Sequence, residues 1–163
     1  MKIEGSSISI KGPKGELKRT LNPLVSVSVA DGNVLVVLRD GQDASDIWGL
    51  TRALIANMLK GVNDGFEKNL EFEGVGYKAN VKGDGLELNL GYSHPILMKI
   101  PAGLTVKVEK NVIKVSGVDN ELIGQFSAEI KSNRLPEPYK GSGIKYAGEI
   151  IRRKAGKKAA TAA

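Results

Sequence analysis

Residues 25–38, VSVSVADGNVLVVL, alternate Val with Ser as far as Val29, turn at Ala30-Asp31-Gly32-Asn33, and resume as an apolar run from Val34 to Leu38. Two β-rich runs separated by a short Gly-containing turn read as an antiparallel hairpin. Upstream, Ser7-Ile8-Ser9-Ile10 alternates, KGPKGE turns, and Leu17 to Leu21 resumes, so the first third of the chain reads as a small antiparallel sheet. Downstream the period changes. From Ser45, the residues Ile47, Leu50, Leu54, Met58 and Leu59 fall at helical spacing, with Gly61 as the expected stop.

The second half repeats this plan. Tyr77 to Val81 leads into a turn at Lys82-Gly83-Asp84-Gly85, followed by Leu86 to Leu90, Ile96 to Ile100, Leu104 to Val108 and Val112 to Ser116. A second helix is expected from Asp119, whose carboxylate suits a cap, with Leu122, Ile123, Phe126 and Ile130 as its apolar stripe. Local matches run in the same order: Ile10-Lys11-Gly12 with Val81-Lys82-Gly83, Asn22-Pro23 with His94-Pro95, and Asn33-Val34-Leu35-Val36 with Asn111-Val112-Ile113-Lys114. Their offsets of 71, 72 and 78 leave room for a small insertion in the second copy. The expectation is an α+β chain of two related modules, each a small antiparallel sheet with one helix packed on one face, plus a basic C-terminal extension. The boundaries fall at 1–68, 69–135 and 136–163.

Composition narrows the chemistry. A chain of 163 residues, 41% of them hydrophobic, has enough apolar surface for two small cores. There is no Cys, which removes disulfides, thiolate metal sites and cysteine nucleophiles together. No run approaches the roughly 18 apolar residues of a membrane span. The start, MKIEGSSISIKG, lacks the apolar core of a signal peptide, so a soluble cytoplasmic protein is expected, with no membrane partner. His94 is the only His and stands before Pro95, where a structural turn role outweighs a catalytic one. Carboxylates are scattered singly, and neither a P-loop nor a dinucleotide fingerprint is present. No catalytic residue, metal site, cofactor or small-molecule substrate is expected.

Charge is distributed unevenly. Residues 131–163, KSNRLPEPYKGSGIKYAGEIIRRKAGKKAATAA, hold nine Lys or Arg against two Glu, a net of +7 where the whole chain is +6. Lys and Arg that neutralise phosphates release condensed counterions and gain affinity without a pocket, so a polyanion is the expected partner. Two glycine-rich stretches bear on this. GVGYKA at Gly74 to Ala79 reads as a bulge or strand bend, because apolar residues flank it. KGSGIKY at Lys140 to Tyr146 follows Pro136 and Pro138, which forbid a helix, and reads as a flexible loop whose Lys140, Lys145 and Tyr rings meet phosphate, ribose or an exposed base. The alternative is a polar loop whose lysines meet only water. The tail carries Arg152, Arg153, Lys154, Lys157 and Lys158 with no acid after Glu149, and reads as a solvated end able to order on RNA.

The stretches LTRALIANMLKGVNDGF at Leu50 to Phe66, LEFEGVGYKA at Leu70 to Ala79, LNLGYSHP at Leu88 to Pro95 and PEPYKGSGIKYAGE at Pro136 to Glu149 resemble the family of the sixth protein of the large ribosomal subunit, in its bacterial form. The resemblance implies two related α+β modules and a non-enzymatic structural role. It implies binding to large-subunit ribosomal RNA of the 23S type near the sarcin–ricin loop, with ribosomal-protein neighbours at the stalk base where translation factors dock. Carried over by position, the RNA-facing residues are Arg134, Tyr139, Lys140, Gly141, Gly143, Lys145 and Tyr146, then Arg152, Arg153 and Lys154, with Lys157 and Lys158 continuing the basic run. Three departures stand out. Ser142 occupies the place of a usual Lys, Leu135 that of a common basic residue, and the chain starts at MKIEG where relatives carry a short basic, Pro-rich arm. Two readings compete with this one: a basic protein-interaction module, which binds a protein partner independently of salt, and an enzyme acting on a phosphorylated substrate through the Gly-rich loops, which binds nucleotide.

Overall fold

The computed structural model describes residues 2–4, 6–30, 32–39 and 44–156. The chain folds as two compact units, one comprising residues up to Phe66 with Gly117–Asn120, the other Glu67–Ser116 with the residues from Glu121 onward. Both are α+β.

In the first unit the strands are β1 (Lys2–Glu4), β2 (Ser7–Gly12), β3 (Gly15–Thr20), β4 (Val25–Ala30) and β5 (Asn33–Leu38), followed by helix α1 (Ser45–Asn63). The strands β1, β2 and β3 form one antiparallel sheet in that order, and β4 pairs β5 with Val27 opposite Val36. Alternation decides which side chains turn inward. Ile8 and Ile10 of β2 join Leu21 and the α1 residues Ile55, Met58 and Val62 in the core, with Leu17, Val27, Val34 and Val36 packed against them. The Trp48 Nε1–H donates to the Val36 carbonyl at 2.8 Å and ties the start of α1 to β5.

The buried face of α1 corrects the sequence reading. Thr51, Ile55, Met58 and Val62 are buried, whereas Leu50 and Leu59 are exposed and Leu54 is only half-buried. Both stripes pass through Met58. Apolar residues cover so much of this helix that periodicity alone does not centre the face, and packing against β2 and β5 does. Gly61 is not the stop either. The helix runs on to Asn63, and a Cβ at Gly61 would stand 2.1 Å from the Val118 carbonyl oxygen, so this glycine admits a neighbouring backbone.

The second unit contains most of β6 (Phe66–Glu73), then β7 (Lys78–Lys82), β8 (Gly85–Asn89), β9 (Ile96–Lys99), β10 (Leu104–Glu109), β11 (Val112–Gly117), α2 (Asn120–Ser132) and β12 (Gly143–Tyr146). It has two sheets, ordered β7-β8-β9 and β10-β11-β6-β12. Its core takes Leu70 and Phe72 from β6, Leu86 and Leu88 from β8, Ile113 and Val115 from β11, Ile123, Phe126 and Ile130 from α2, and Ile144 from β12.

The two units share one plan. The β2–β3 and β7–β8 hairpins each turn through two residues, β4–β5 and β10–β11 do likewise, and a helix follows each set. The buried triplets Ile55, Met58, Val62 and Ile123, Phe126, Ile130 have the same helical spacing. The insertion anticipated in the second copy is β9, which occupies the connection between β8 and β10. The match of Asn33 with Asn111 is one residue out of register. Val34 and Val36 pack inward in the first unit as Ile113 and Val115 do in the second, and a one-residue slip would exchange the faces. Two strands had no counterpart in the sequence reading, β1 and β12, and β6 was read only as the strand-like flank of GVGYKA. GVGYKA is a turn between β6 and β7, closed by the Tyr77 N–H on the Gly74 carbonyl at 3.4 Å, and not a bulge.

Candidate nucleic-acid interface

Every expected contact residue from Arg134 to Lys154 lies in the second unit, while Lys157 and Lys158 fall outside the described residues. The segment begins where α2 ends. Pro136 and Pro138 lack an N–H, so the chain cannot continue as helix and closes a loop through other donors. The Glu137 N–H donates to the Ser142 carbonyl at 2.9 Å, and the Gly141 N–H donates to the Glu137 carbonyl at 2.8 Å. The Ser142 hydroxyl donates to the Glu137 carboxylate at 3.3 Å. Tyr139 and Lys140 sit exposed at the tip.

The expected flexible loop at KGSGIKY is instead half strand. Gly143 to Tyr146 form β12, paired antiparallel with β6, with Ile144 opposite Phe72 and Lys145 opposite Glu71. The Ile144 N–H also donates to the Arg134 carbonyl at 2.8 Å. Gly143 is required here. Its φ of 145° and the 2.6 Å gap that a Cβ would leave to the Leu135 carbonyl oxygen admit no side chain. Lys145 pairs with Glu71 at 3.5 Å and is half-buried. The Tyr146 ring has the Lys131 ammonium 4.8 Å and the Lys68 ammonium 5.7 Å from its centroid. Lys145 and Tyr146 therefore brace β12, and the outward-facing groups are Arg134, Tyr139, Lys140, Arg152, Arg153 and Lys154.

The start of the tail is packed, in contrast to the solvated end expected. The Lys154 N–H donates to the Pro138 carbonyl at 2.8 Å. The Arg153 guanidinium lies so close to Gly141, which has a φ of 74°, that a Cβ there would come within 2.8 Å of Nε. Loop and tail thus form one surface. Its anchor is Glu149, which accepts two bonds of 2.7 Å from the Lys131 ammonium and one of 3.0 Å from the Tyr146 N–H. The Lys131 bond, then the Tyr146 backbone, hold the Glu149 carboxyl below its ordinary value. Sequence reading missed this pair, because Lys131 and Glu149 stand 18 residues apart and neither belongs to a motif.

Among the described residues no cluster of His, Asp or Glu suits a metal ion, and no helix is long and apolar enough to cross a membrane. What the surface offers is a set of cations that no carboxylate pairs among the described residues, and one phenol, on a fixed backbone, which suits a polyanion's phosphates and an unstacked base.

Comparison with known proteins decides the ancestry. The family model described as Ribosomal protein L6 matches residues 1–65 and 73–147. This chain belongs to the ribosomal protein L6 family. Three relatives carrying the name large ribosomal subunit protein uL6 illustrate the depth of the match. That of Protochlamydia amoebophila is 52% identical over 162 residues, 98% of this chain and 90% of its own length. That of Gloeothece citriformis is 52% identical over 157 residues, 95% of this chain and 88% of its own. That of Trichlorobacter lovleyi is 54% identical over 154 residues, with coverages of 93% and 86%. The two matched stretches of the L6 model fall one on each half of the duplicated plan.

Proposed function

We propose that this chain binds ribosomal RNA through the combined loop-and-tail surface of its second unit. As a member of the ribosomal protein L6 family it is a structural component of the large ribosomal subunit, working in the cytoplasm, and not an enzyme. The RNA is of the 23S type, and the docking place lies near the sarcin–ricin loop, beside the ribosomal proteins of the stalk base. The observation that carries the reading is the packing of Arg153 and Lys154 onto the loop that presents Tyr139 and Lys140. A pre-fixed backbone lets these groups meet phosphates in one register, which a solvated tail cannot do.

Loop and tail have different tasks. The loop, tied at Glu137, Gly141 and Ser142 and carrying Arg153 and Lys154, positions the protein, and the basic residues beyond Lys154 add electrostatic affinity. The test is a paired titration with protein-free large-subunit RNA and with an unrelated RNA duplex at several salt concentrations. Replacing the exposed Tyr139 and Lys140 with Ala is expected to weaken the cognate RNA more than the duplex. Deleting residues 155–163, which spares Arg153 and Lys154, is expected to weaken both alike and to flatten the salt dependence. Equal loss of both RNAs in the loop variant, or loss of discrimination in the tail deletion alone, reverses the assignment. Binding that ignores both changes and salt returns the protein-interaction reading.

A further inference from the structure

Two of the motifs that mark the family, GVGYKA and GYSHP, take no part in the loop-and-tail surface, yet both converge on Arg134 within the second unit. From the first comes Tyr77, whose hydroxyl oxygen accepts the Arg134 Nε–H at 3.1 Å. From the second comes Tyr92, whose ring lies under the guanidinium with its centroid 5.2 Å away. The Tyr92 hydroxyl in turn donates to the Asn133 carbonyl at 3.0 Å, so its ring is fixed to the residue preceding Arg134. Gly74 makes room for this arrangement: a Cβ there would stand 2.5 Å from the Tyr77 ring.

The result is a guanidinium whose plane is set before any ligand arrives. Arg134 is exposed, and among the described residues no carboxylate pairs with it. Neutral phenols hold it, so its charge is uncompensated. Nε is committed to Tyr77 and the Tyr92 hydroxyl also meets the guanidinium, which leaves the outward terminal N–H groups to take two coplanar acceptors. Beside it, at the tip of the Gly74–Tyr77 turn, Val75 is fully exposed.

We infer that Tyr77 and Tyr92 are positioning residues that preorganise Arg134, one of the outward-facing groups of the RNA surface, to take a pair of coplanar acceptors, either two phosphate oxygens or the O6 and N7 edge of an unpaired guanine. Both sources offer the same chemistry to the fork. The inference rests on the RNA-binding reading above, which supplies both sources. It assigns the GVGY turn and the GYSHP loop a role as the two walls that fix Arg134. The contrasting role is a purely internal one, in which Arg134 merely joins the two loops to the end of α2.

The experiment uses the full chain with protein-free large-subunit RNA and an unrelated RNA duplex. Arg134→Lys keeps the charge and removes the fork, while Tyr77→Phe removes only the hydroxyl that orients it. Arg134→Lys is expected to lose about tenfold in affinity for the large-subunit RNA, with little change for the duplex. Tyr77→Phe is expected to lose about threefold in the same sense. Urea midpoints should match the parent protein; if Arg134→Lys lowers its midpoint, Tyr77→Phe alone carries the decision. Dimethyl sulfate, which methylates guanine N7, separates the sources. A guanine protected by the parent protein and exposed with Arg134→Lys identifies a base edge, whereas weakened binding with no change at any N7 identifies phosphate. Parent-like affinity of both variants, while the loop and tail variants lose binding, overturns the inference and leaves the RNA reading standing. Parent-like affinity of all four sets of changes overturns the RNA reading itself.

Discussion

Ile55 on α1 and Phe126 on α2 are each buried on the inward face of their helix. Truncating either removes a large apolar side chain that the surroundings cannot refill, so Ile55→Ala and Phe126→Ala should each cost about 2–5 kcal/mol. Leu54, one residue from Ile55 but only half-buried, should cost about 1–2 kcal/mol when changed to Ala. Urea denaturation of the three variants checks the order, and a Leu54 effect larger than that of Ile55 would return the apolar face to the stripe drawn from periodicity. Residue types were readable from the sequence here, and Phe126 was correctly placed. The phase of α1 was not, because Leu50, Leu54, Ile55, Met58, Leu59 and Val62 spread over too wide an arc for spacing to select one centre. The groups around Arg134 were invisible for another reason: Tyr77, Tyr92 and Arg134 are brought together only by the tertiary fold.

At the scale of elements, the hairpins β2–β3, β4–β5 and β7–β8 were legible because alternation and a short turn lie in one window of sequence. β12 was not. Four residues beginning with glycine carry little signal, and the partner strand β6 lies some seventy residues earlier. What holds the exit of β12 is the Glu149 carboxylate on Lys131 and on the Tyr146 N–H. The folded-state pKa of Glu149 is lowered from 4.5, so its contribution is present above that value and is lost as pH falls through the folded pKa. Hydrogen exchange is the measurement. Protection of the Tyr146 and Ala147 amides should fall below about pH 4.5 before that of the Ile123–Ile130 face, and Glu149→Gln should show weak protection there already at neutral pH. Unchanged protection in Glu149→Gln would mean that the β6 pairing alone holds the strand.

Across the whole molecule the duplicated plan and the concentration of positive charge at one end belong to different levels of the chain. The plan follows from periodicity, and both halves obey it down to the spacing of the helical core residues. The charge follows from composition, and the fold gives part of it a shape by seating Arg153 and Lys154 on the loop after α2. That joining of loop and tail had no sequence signature, since it rests on backbone hydrogen bonds and on the space left by Gly141. The account's central claim is that this end of the molecule binds large-subunit RNA through its phosphates. The most direct measurement is the affinity of the full chain for protein-free large-subunit RNA as a function of salt. With about four to six cations engaged, log K should fall against log salt with a slope of roughly −3 to −5, and a slope near zero would contradict the claim.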